Sequence, residues 1–169
     1  FIEANVYELP QSLDGRFDLV FSSHGVLSWL PDLGAWAKNI ARCLAPGGAF
    51  CFVEGHPVMF TFDDQRDDRM IVLRFPYFST GEALRFESQG SYAAPDAPLR
   101  SVSYEFPHSV GELLTALLDA GLALEHYAEY PYMGWSFYPW MERNAEGFWT
   151  FPEGMPSAPL MFSLRARKV

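Results

Sequence analysis

The 169-residue chain lacks the features expected of a protein whose main partner is a nucleic acid or a membrane. It has 12 lysines and arginines against 21 aspartates and glutamates, which gives a formal net charge of -9. Nucleic acids and anionic membranes bind basic surfaces, so this balance argues against both. No apolar run approaches the roughly 20 residues that span a bilayer. The two cysteines form neither a disulfide framework nor a metal-ligand spacing, so we expect a cytoplasmic protein without a metal site.

What the chain does contain is a strand, a helix and a second strand in immediate succession. Phe17–Ser22 is an almost continuous apolar run, typical of a strand buried on both faces. Asp32 is a good N-cap for a helix whose apolar residues recur at helical spacing up to Leu44. Residues 45–48, Ala-Pro-Gly-Gly, end that helix, and Ala49–Glu54 is a second buried strand. This βαβ order predicts parallel strands joined by a right-handed crossover.

The flanking segments predict further elements of the same domain. Phe1–Asn5 reads as a short strand. Ser109 and Glu112 form a capping box at the start of a helix that ends before Gly121. Residues 122–130 and 160–168 are predicted strands.

Two irregular segments interrupt this pattern. Residues 55–107 contain predicted strands at Met70–Phe75 and Ser101–Phe106, and residues 131–159 form an aromatic loop. An insertion of about fifty residues between core elements is more often functional than idle, which favours a substrate-side lid. The run of aspartates and arginines at 63–69 is typical of a solvated loop, although it admits a metal site as an alternative.

Five segments in this order resemble a class I S-adenosylmethionine-dependent methyltransferase. They are Glu3–Pro10, the strand at Phe17–Val20, the Arg-x-Leu-x-Pro-Gly-Gly signature at Arg42–Gly48, the helix end at Ala120–Leu122 and the closing segment Phe162–Lys168. The resemblance implies an α/β fold with a Rossmann-like, doubly wound sheet. That sheet is expected to be mostly parallel with an antiparallel last strand.

The chain lacks the family's most diagnostic element. The glycine-rich loop and the ribose-binding acidic residue of the family are absent, and no G-x-G-x-G occurs. The resemblance therefore implies that N-terminal βα units are missing, and that residues 1–169 are the C-terminal part of one methyltransferase domain. Two strands would belong between Phe1–Asn5 and Phe17–Ser22. We expect a polypeptide of these residues alone to bind the cofactor poorly and to be inactive.

The resemblance also assigns the cofactor, S-adenosylmethionine, to the carboxyl ends of the first strands. Asn5 would hold the adenine amine and the backbone N–H of Val6 would meet a ring nitrogen. Ser22, Ser23 and His24 would approach the methionine part. The alternative for Asn5 is an Asx-turn residue.

Methyl transfer by in-line displacement needs mainly positioning, with a general base only where the acceptor must lose a proton. The candidates for that base are His24, His56 and His108, of which His108 has the alternative of packing before the helix cap. Trp29 and Glu54 are candidate substrate-binding residues. Their alternatives are a core position for Trp29 and a salt-bridged rim position for Glu54.

Acidity favours a small-molecule acceptor over nucleic acid, and a homodimer is a further candidate assembly. The rival hypotheses are methylation of a protein or nucleic acid, and a non-catalytic interaction module with a methyltransferase fold. Another Rossmann-like enzyme with a nucleotide cofactor is disfavoured by the Pro-Gly-Gly signature.

Overall fold

A four-stranded sheet is the central layer of the computed structural model, which describes residues 1–91, 94 and 96–169. The strands in these residues are β1 (Phe17–Ser23), β2 (Leu44–Gly55), β3 (Leu84–Gln89), β4 (Arg100–Glu105), β5 (Leu122–Tyr130), β6 (Tyr132–Met133), β7 (Glu142–Arg143), β8 (Trp149–Thr150) and β9 (Met161–Lys168). The α-helices are α1 (Leu33–Cys43) and α2 (Val110–Asp119). The central sheet has the order β1-β2-β9-β5. None of the helices in the described ranges is long and apolar enough to cross a bilayer.

The strand directions follow the predicted doubly wound plan. Strands β1 and β2 pair in parallel, and β9 pairs antiparallel with both β2 and β5. Strands β1, β2 and β5 therefore run in one direction and the last strand runs against them. This arrangement confirms the α/β fold class with an antiparallel last strand.

Both helices begin at the predicted caps and cover the same face of the sheet. The Asp32 carboxylate accepts the Ala35 N–H at 2.9 Å, and Ser109 and Glu112 form the reciprocal capping box. Helix α1 packs Trp36 against the rings of Phe50 and Phe52. The main core lies between the two helices and this face of the sheet. Capping groups satisfy the otherwise unpaired first N–H groups of each helix, which explains why these local signals were reliable.

The predicted strand at Phe1–Asn5 is wrong. The segment is exposed and belongs to no strand, and Asn5 accepts the Glu8 N–H at 2.9 Å in a turn. An extended segment becomes a strand only when a neighbour pairs with its backbone groups. Within the described residues no strand pairs with the outer edge of β1, so this segment has no sheet to join there.

The prediction that β1 is buried on both faces is also wrong. Val20 packs against the main core, whereas Phe17, Leu19 and Phe21 are 40%, 56% and 61% exposed. Successive side chains of a strand point to opposite faces, and α1 and α2 both cover one face. The opposite face of β1 carries no covering layer within the described residues.

The insertion is built differently from the prediction. Met70–Phe75 forms no strand beyond one bridge between Phe62 and Leu73, and the prediction of a strand there is wrong. The partner of β4 is instead β3, in an antiparallel hairpin. The predicted strand at Ser101–Phe106 is confirmed to within one residue at each end. Apolar composition alone did not show which of two strand-like segments would find a partner.

The helix stop at residues 45–48 became part of β2. Its pairing with β1 jumps from Phe17 opposite Leu44 to Leu19 opposite Ala49. Four residues therefore bulge outward within the strand, with Gly47 at a φ of +73°. Only glycine adopts such a positive φ without strain. The glycines therefore marked the turn correctly, whereas the predicted start of the strand at Ala49 was too late.

The predicted loop at 131–159 forms the three short strands β6, β8 and β7 and a second core. Tyr138 is buried, donates its hydroxyl to the Met59 carbonyl at 3.0 Å and stacks on Trp140 at 4.9 Å. The Trp140 indole donates to the Arg66 carbonyl at 3.1 Å. These rings therefore pack the two irregular segments against each other.

Candidate functional site

The loop that follows β1 is held by one buried carboxylate. Glu54, at the end of β2, is 1% exposed. Its Oε1 accepts the N–H groups of Gly25 at 2.7 Å and Gly55 at 2.8 Å. Its Oε2 accepts those of Val26 at 2.8 Å and Leu27 at 3.4 Å. Hydrogen bonds to an ionised acceptor are the stronger class, so Glu54 fixes the path of this loop.

The same loop contains strained backbone. His24 has a φ of +35° and Gly25 a φ of +79°. A non-glycine residue with positive φ costs free energy and persists where its surroundings impose the conformation. The His24 N–H donates to the Val53 carbonyl at 2.9 Å, and the His24 ring meets the Trp135 ring edge-on at 5.2 Å. The carboxyl end of β1 is thus turned sharply across the end of β2.

An apolar groove of about 490 Å³ lies on one side of this loop, between the edge of β1 and α1. It brings together Val6 and Ser22, two of the predicted cofactor residues, and it is bordered by Val26 of the loop. The Val6 carbonyl accepts from the Asn39 side chain at 2.9 Å. The Val6 N–H donates to no group in the described residues.

A narrower cavity of about 60 Å³ lies on the other side of the loop, facing the β3–β4 hairpin. Its lining comes from the loop, the end of β2, the insertion and the start of α2: Gly25, Leu27, Ser28, Glu54, Pro57, Phe60, Pro76, Tyr77, Leu84, Glu105, Phe106, Pro107 and His108. The Phe106 N–H donates to the Ser28 carbonyl at 2.8 Å and ties the hairpin to the loop. The loop is therefore a wall shared by the groove and the cavity.

Of the predicted histidines, His108 is the one that lines this cavity. It is buried, and its Nε2 donates to the Leu30 carbonyl at 2.6 Å. Because a carbonyl can only accept, Nε2 carries a proton and Nδ1 is left as the basic nitrogen of the neutral ring. His24 is exposed at the loop instead.

His56 is buried in a separate polar cluster beside the cavity. Its Nδ1 accepts the Val58 N–H at 3.2 Å, so the ring proton is on Nε2, which donates to Glu129 Oε1 at 3.1 Å. The Tyr127 hydroxyl donates to the same carboxylate oxygen at 3.2 Å. Burial lowers the pKa of His56, and the nearby Glu129 carboxylate opposes that shift. Both ring nitrogens are therefore occupied by protein groups.

We expect His56 to make the folded state sensitive to mild acid. Folding lowers the pKa of His56, so at a pH above its ordinary pKa of 6.5 the ring is neutral in both the folded and the unfolded state and its titration costs no stability. As the pH falls through that value the unfolded state takes up the proton first, and stability is lost. His56→Asn keeps an acceptor for the Val58 N–H but does not titrate. Urea unfolding at about pH 7.5 and about pH 5.5 should show a smaller loss for the variant than for the wild type; equal losses would contradict the assignment.

The remaining predicted residues lie apart from the cavity. Asn5 forms the Asx turn that was its alternative, with Oδ1 accepting the Tyr7 N–H at 3.0 Å. Ser23 is half-buried and pairs with Val53. Trp29 is 53% exposed and lines neither the groove nor the cavity.

Glu105 and Tyr77 of the cavity wall were not predicted from the sequence. Glu105 makes no hydrogen bond or ion pair through its side chain within the described residues. Burial, together with the Asp64 carboxylate, raises the pKa of Glu105. The Tyr77 hydroxyl accepts the Val110 N–H at 3.2 Å. The sequence feature that could have indicated Glu105 was its place as an acidic residue near the end of a predicted strand, directly before Phe106.

Comparison with known proteins identifies this architecture. Residues 1–52 match a family model described as a methyltransferase domain. A proposed S-adenosylmethionine-dependent methyltransferase from Listeria monocytogenes aligns over 98% of this chain and 67% of its own, with a TM-score of 0.62 and 18% identity. The chain has a methyltransferase fold. A second S-adenosylmethionine-dependent methyltransferase, from Mesorhizobium loti, aligns over the same shares with a TM-score of 0.57 and 19% identity.

These comparisons confirm the predicted resemblance to S-adenosylmethionine-dependent methyltransferases. A third structure with the methyltransferase fold, the glycopeptide N-methyltransferase MtfA, is complexed with S-adenosylmethionine; it aligns over 98% of this chain and 59% of its own, with a TM-score of 0.51 and 14% identity. No curated protein sequence matches the chain. The chain spans about two-thirds of the length of the Listeria and Mesorhizobium structures.

The residues present in this methyltransferase fold fit one side of the implied cofactor. The groove is lined by Ser22, by an apolar wall that includes Val26 and Phe50, and by Val6, whose N–H has no partner in the part of the chain that the structure describes. A free N–H suits a ring nitrogen, and apolar side chains suit the faces of a purine.

Proposed function

We propose that the protein transfers a methyl group from S-adenosylmethionine to a small-molecule acceptor. The observation that carries this proposal is the shared wall: the loop held by Glu54 borders the groove with Val26 and the cavity with Gly25, Leu27 and Ser28. A cofactor in the groove and an acceptor in the cavity would both border this loop, and methyl transfer requires the two to meet directly at its edge. Ligands of doubly wound sheets bind outside the carboxyl ends of the strands, where this loop lies.

The chain's contribution to the reaction is mainly positioning. The bound cofactor supplies an activated methyl group, and displacement at that carbon requires the acceptor atom to approach in line. Val6 and Ser22 orient the cofactor side, with His24 at the loop and Asn5 beside the groove. The rings of Phe60, Tyr77 and Phe106 limit the access of water to the cavity. His108, through Nδ1, is the proposed general base for an acceptor that must lose a proton.

The proposal extends to the organisation of the domain. The unpaired outer edge of β1 supports a sheet that continues beyond β1 in the complete methyltransferase domain. The added strand would cover the part of the groove lined by Phe17, Leu19 and Phe21 and leave the end near Val6, Ser22 and Val26 to the cofactor. Residues 1–169 are then its C-terminal part, with 55–107 and 131–159 covering the substrate side. A large exposed apolar face is otherwise a site of association, in which case a second copy of the chain would cover it.

Calorimetry with S-adenosylmethionine tests this proposal. The complete natural protein should bind the cofactor with micromolar affinity, and residues 1–169 alone should bind at least about tenfold more weakly, since one side of the site is incomplete. Incubation of the complete protein with small acceptors should release S-adenosylhomocysteine. No cofactor binding by the complete protein would overturn the proposal and favour a non-catalytic module.

A further inference from the structure

The cavity described above carries negative charge that the protein does not neutralise. Two carboxylates, Glu54 and Glu105, are among its lining residues, and none of the lining residues in the described ranges is lysine or arginine. Glu54 is satisfied by backbone N–H groups. Glu105 has no such partner within the described residues, so its carboxylate is the group left for a ligand.

Backbone contacts hold Glu105 at the cavity. It ends β4 opposite Leu84 of β3, and both residues line the cavity. The next residue, Phe106, donates its N–H to Ser28 in the loop. An acidic side chain that is half removed from water and has no counterion is unfavourable, and a cation bound beside it relieves that cost. The nearby Asp64 carboxylate acts in the same direction, since it raises the pKa of Glu105.

The walls of the cavity also suit a cation with an apolar body. Phe60, Tyr77 and Phe106 supply aromatic surface, and Leu27, Leu84 and the prolines at 57, 76 and 107 supply aliphatic surface. Aromatic faces attract ammonium groups, whereas they offer nothing to an anion. An anionic acceptor would in addition be repelled by Glu105.

We propose that the acceptor is a small amine, bound as its ammonium form by the Glu105 carboxylate. This inference rests on the proposed function, because it takes the cavity as the acceptor site. It makes Glu105 the residue that selects amines over alcohols and carboxylic acids of the same size. His108, which also lines the cavity, would take the proton that the ammonium must lose before its nitrogen can accept the methyl group.

Three probes of one size and different charge test the inference: n-butylamine, n-butanol and butyrate. Saturation-transfer NMR with the complete natural protein should show binding of the amine, weaker binding of the alcohol and none of butyrate. Glu105→Gln keeps the shape of the side chain and removes its charge. It should weaken amine binding by about tenfold or more, because a charge-assisted hydrogen bond is lost, and leave butanol binding unchanged.

Glu82→Gln is the matched control, since it removes one negative charge from an exposed residue just before the same hairpin. It should leave the amine affinity unchanged. Equal binding of amine and alcohol, or equal effects of the two variants, would overturn the inference.

Calorimetry with S-adenosylmethionine on the same samples separates the two proposals. Cofactor binding without amine binding refutes the amine inference alone, and amine binding without cofactor binding refutes the methyltransferase proposal. Weaker cofactor binding in Glu105→Gln, with the amine unaffected, would place Glu105 at the cofactor and also refute the inference.

Discussion

Replacing Glu54 by alanine should lower the free energy of unfolding by about 3–5 kcal/mol, because several backbone N–H donors lose their acceptor at once. The carboxylate accepts from Gly25, Val26, Leu27 and Gly55, and alanine offers none of these N–H groups an acceptor. Leaving a buried donor unpaired costs about 1–3 kcal/mol. Water that enters the vacated space can accept hydrogen bonds from some of these N–H groups. The expected loss is therefore smaller than the cost of four unpaired donors.

Glu54→Gln separates charge from shape. Glutamine keeps one acceptor oxygen, but its NH₂ group replaces the other oxygen and faces backbone N–H groups that are themselves donors. We therefore expect a loss of about 2–3 kcal/mol. The control is Glu87→Gln, whose carboxylate is exposed and pairs with Arg85, and which should cost at most about 0.5 kcal/mol. Urea denaturation followed by far-ultraviolet circular dichroism measures all three variants. A Glu54→Gln protein as stable as Glu87→Gln would show that the loop does not depend on this carboxylate.

The same variants separate folding from function. The strained backbone at His24 depends on its surroundings, and the Glu54 hydrogen bonds supply part of them. A protein that remains folded with Glu54→Gln should therefore bind both cofactor and amine more weakly, since the loop borders the groove and the cavity alike. Glu105→Gln, in contrast, should affect the cavity alone.

Local signals were sufficient for much of the fold. The caps at Asp32 and Ser109 and the helical spacing of apolar residues depend on neighbours within one or two turns, and the structure reproduces both helices. The parallel pairing of β1 and β2 followed from their connection by one helix. Structural features that depend on residues within about ten positions along the chain can be predicted from a single sequence.

The errors concern partners that are distant in sequence. Whether Phe1–Asn5 forms a strand, or whether Phe21 is covered, depends on which chain segment lies against it, and composition does not specify that segment. The hairpin shows the same limit, because Met70–Phe75 is more apolar than Leu84–Gln89, yet the latter pairs with β4. Strand formation is decided by pairing and burial rather than by intrinsic preference.

The position of some lining residues was predictable where strand ends determine it. The rule that ligands bind at the carboxyl ends of parallel strands led to Ser22 and Glu54, and the structure places both at the groove or the cavity. Glu105 and Tyr77 come from the insertion, whose path over the sheet has no such rule. Trp29 was proposed from the resemblance to the family, and the short turn at Leu27–Trp29 directs it to solvent.

Replacing Trp36 by alanine should lower the free energy of unfolding by about 3–5 kcal/mol, the usual cost of truncating a large buried aromatic side chain. Trp36 is 3% exposed and lies with its ring centroid 5.6 Å from those of both Phe50 and Phe52. It is the main aromatic contact between α1 and β2. The cavity left by its removal opens onto the groove at the β1 edge, which Trp36 also lines.

Trp29→Ala is the matched control, because it removes the same side chain from a position that is 53% exposed and should cost about 0.5 kcal/mol or less. Trp36→Phe keeps an aromatic ring and should fall between the two, at about 1–2 kcal/mol. Thermal and urea unfolding give the order of stability. Should Trp36→Ala prove no less stable than Trp29→Ala, the packing of α1 on β2 would not be what stabilises the sheet. If the order holds, Trp36→Phe tests whether the ring has a second role besides packing in the core. A variant that stays folded but binds S-adenosylmethionine more weakly would place Trp36 in the wall of the cofactor groove as well.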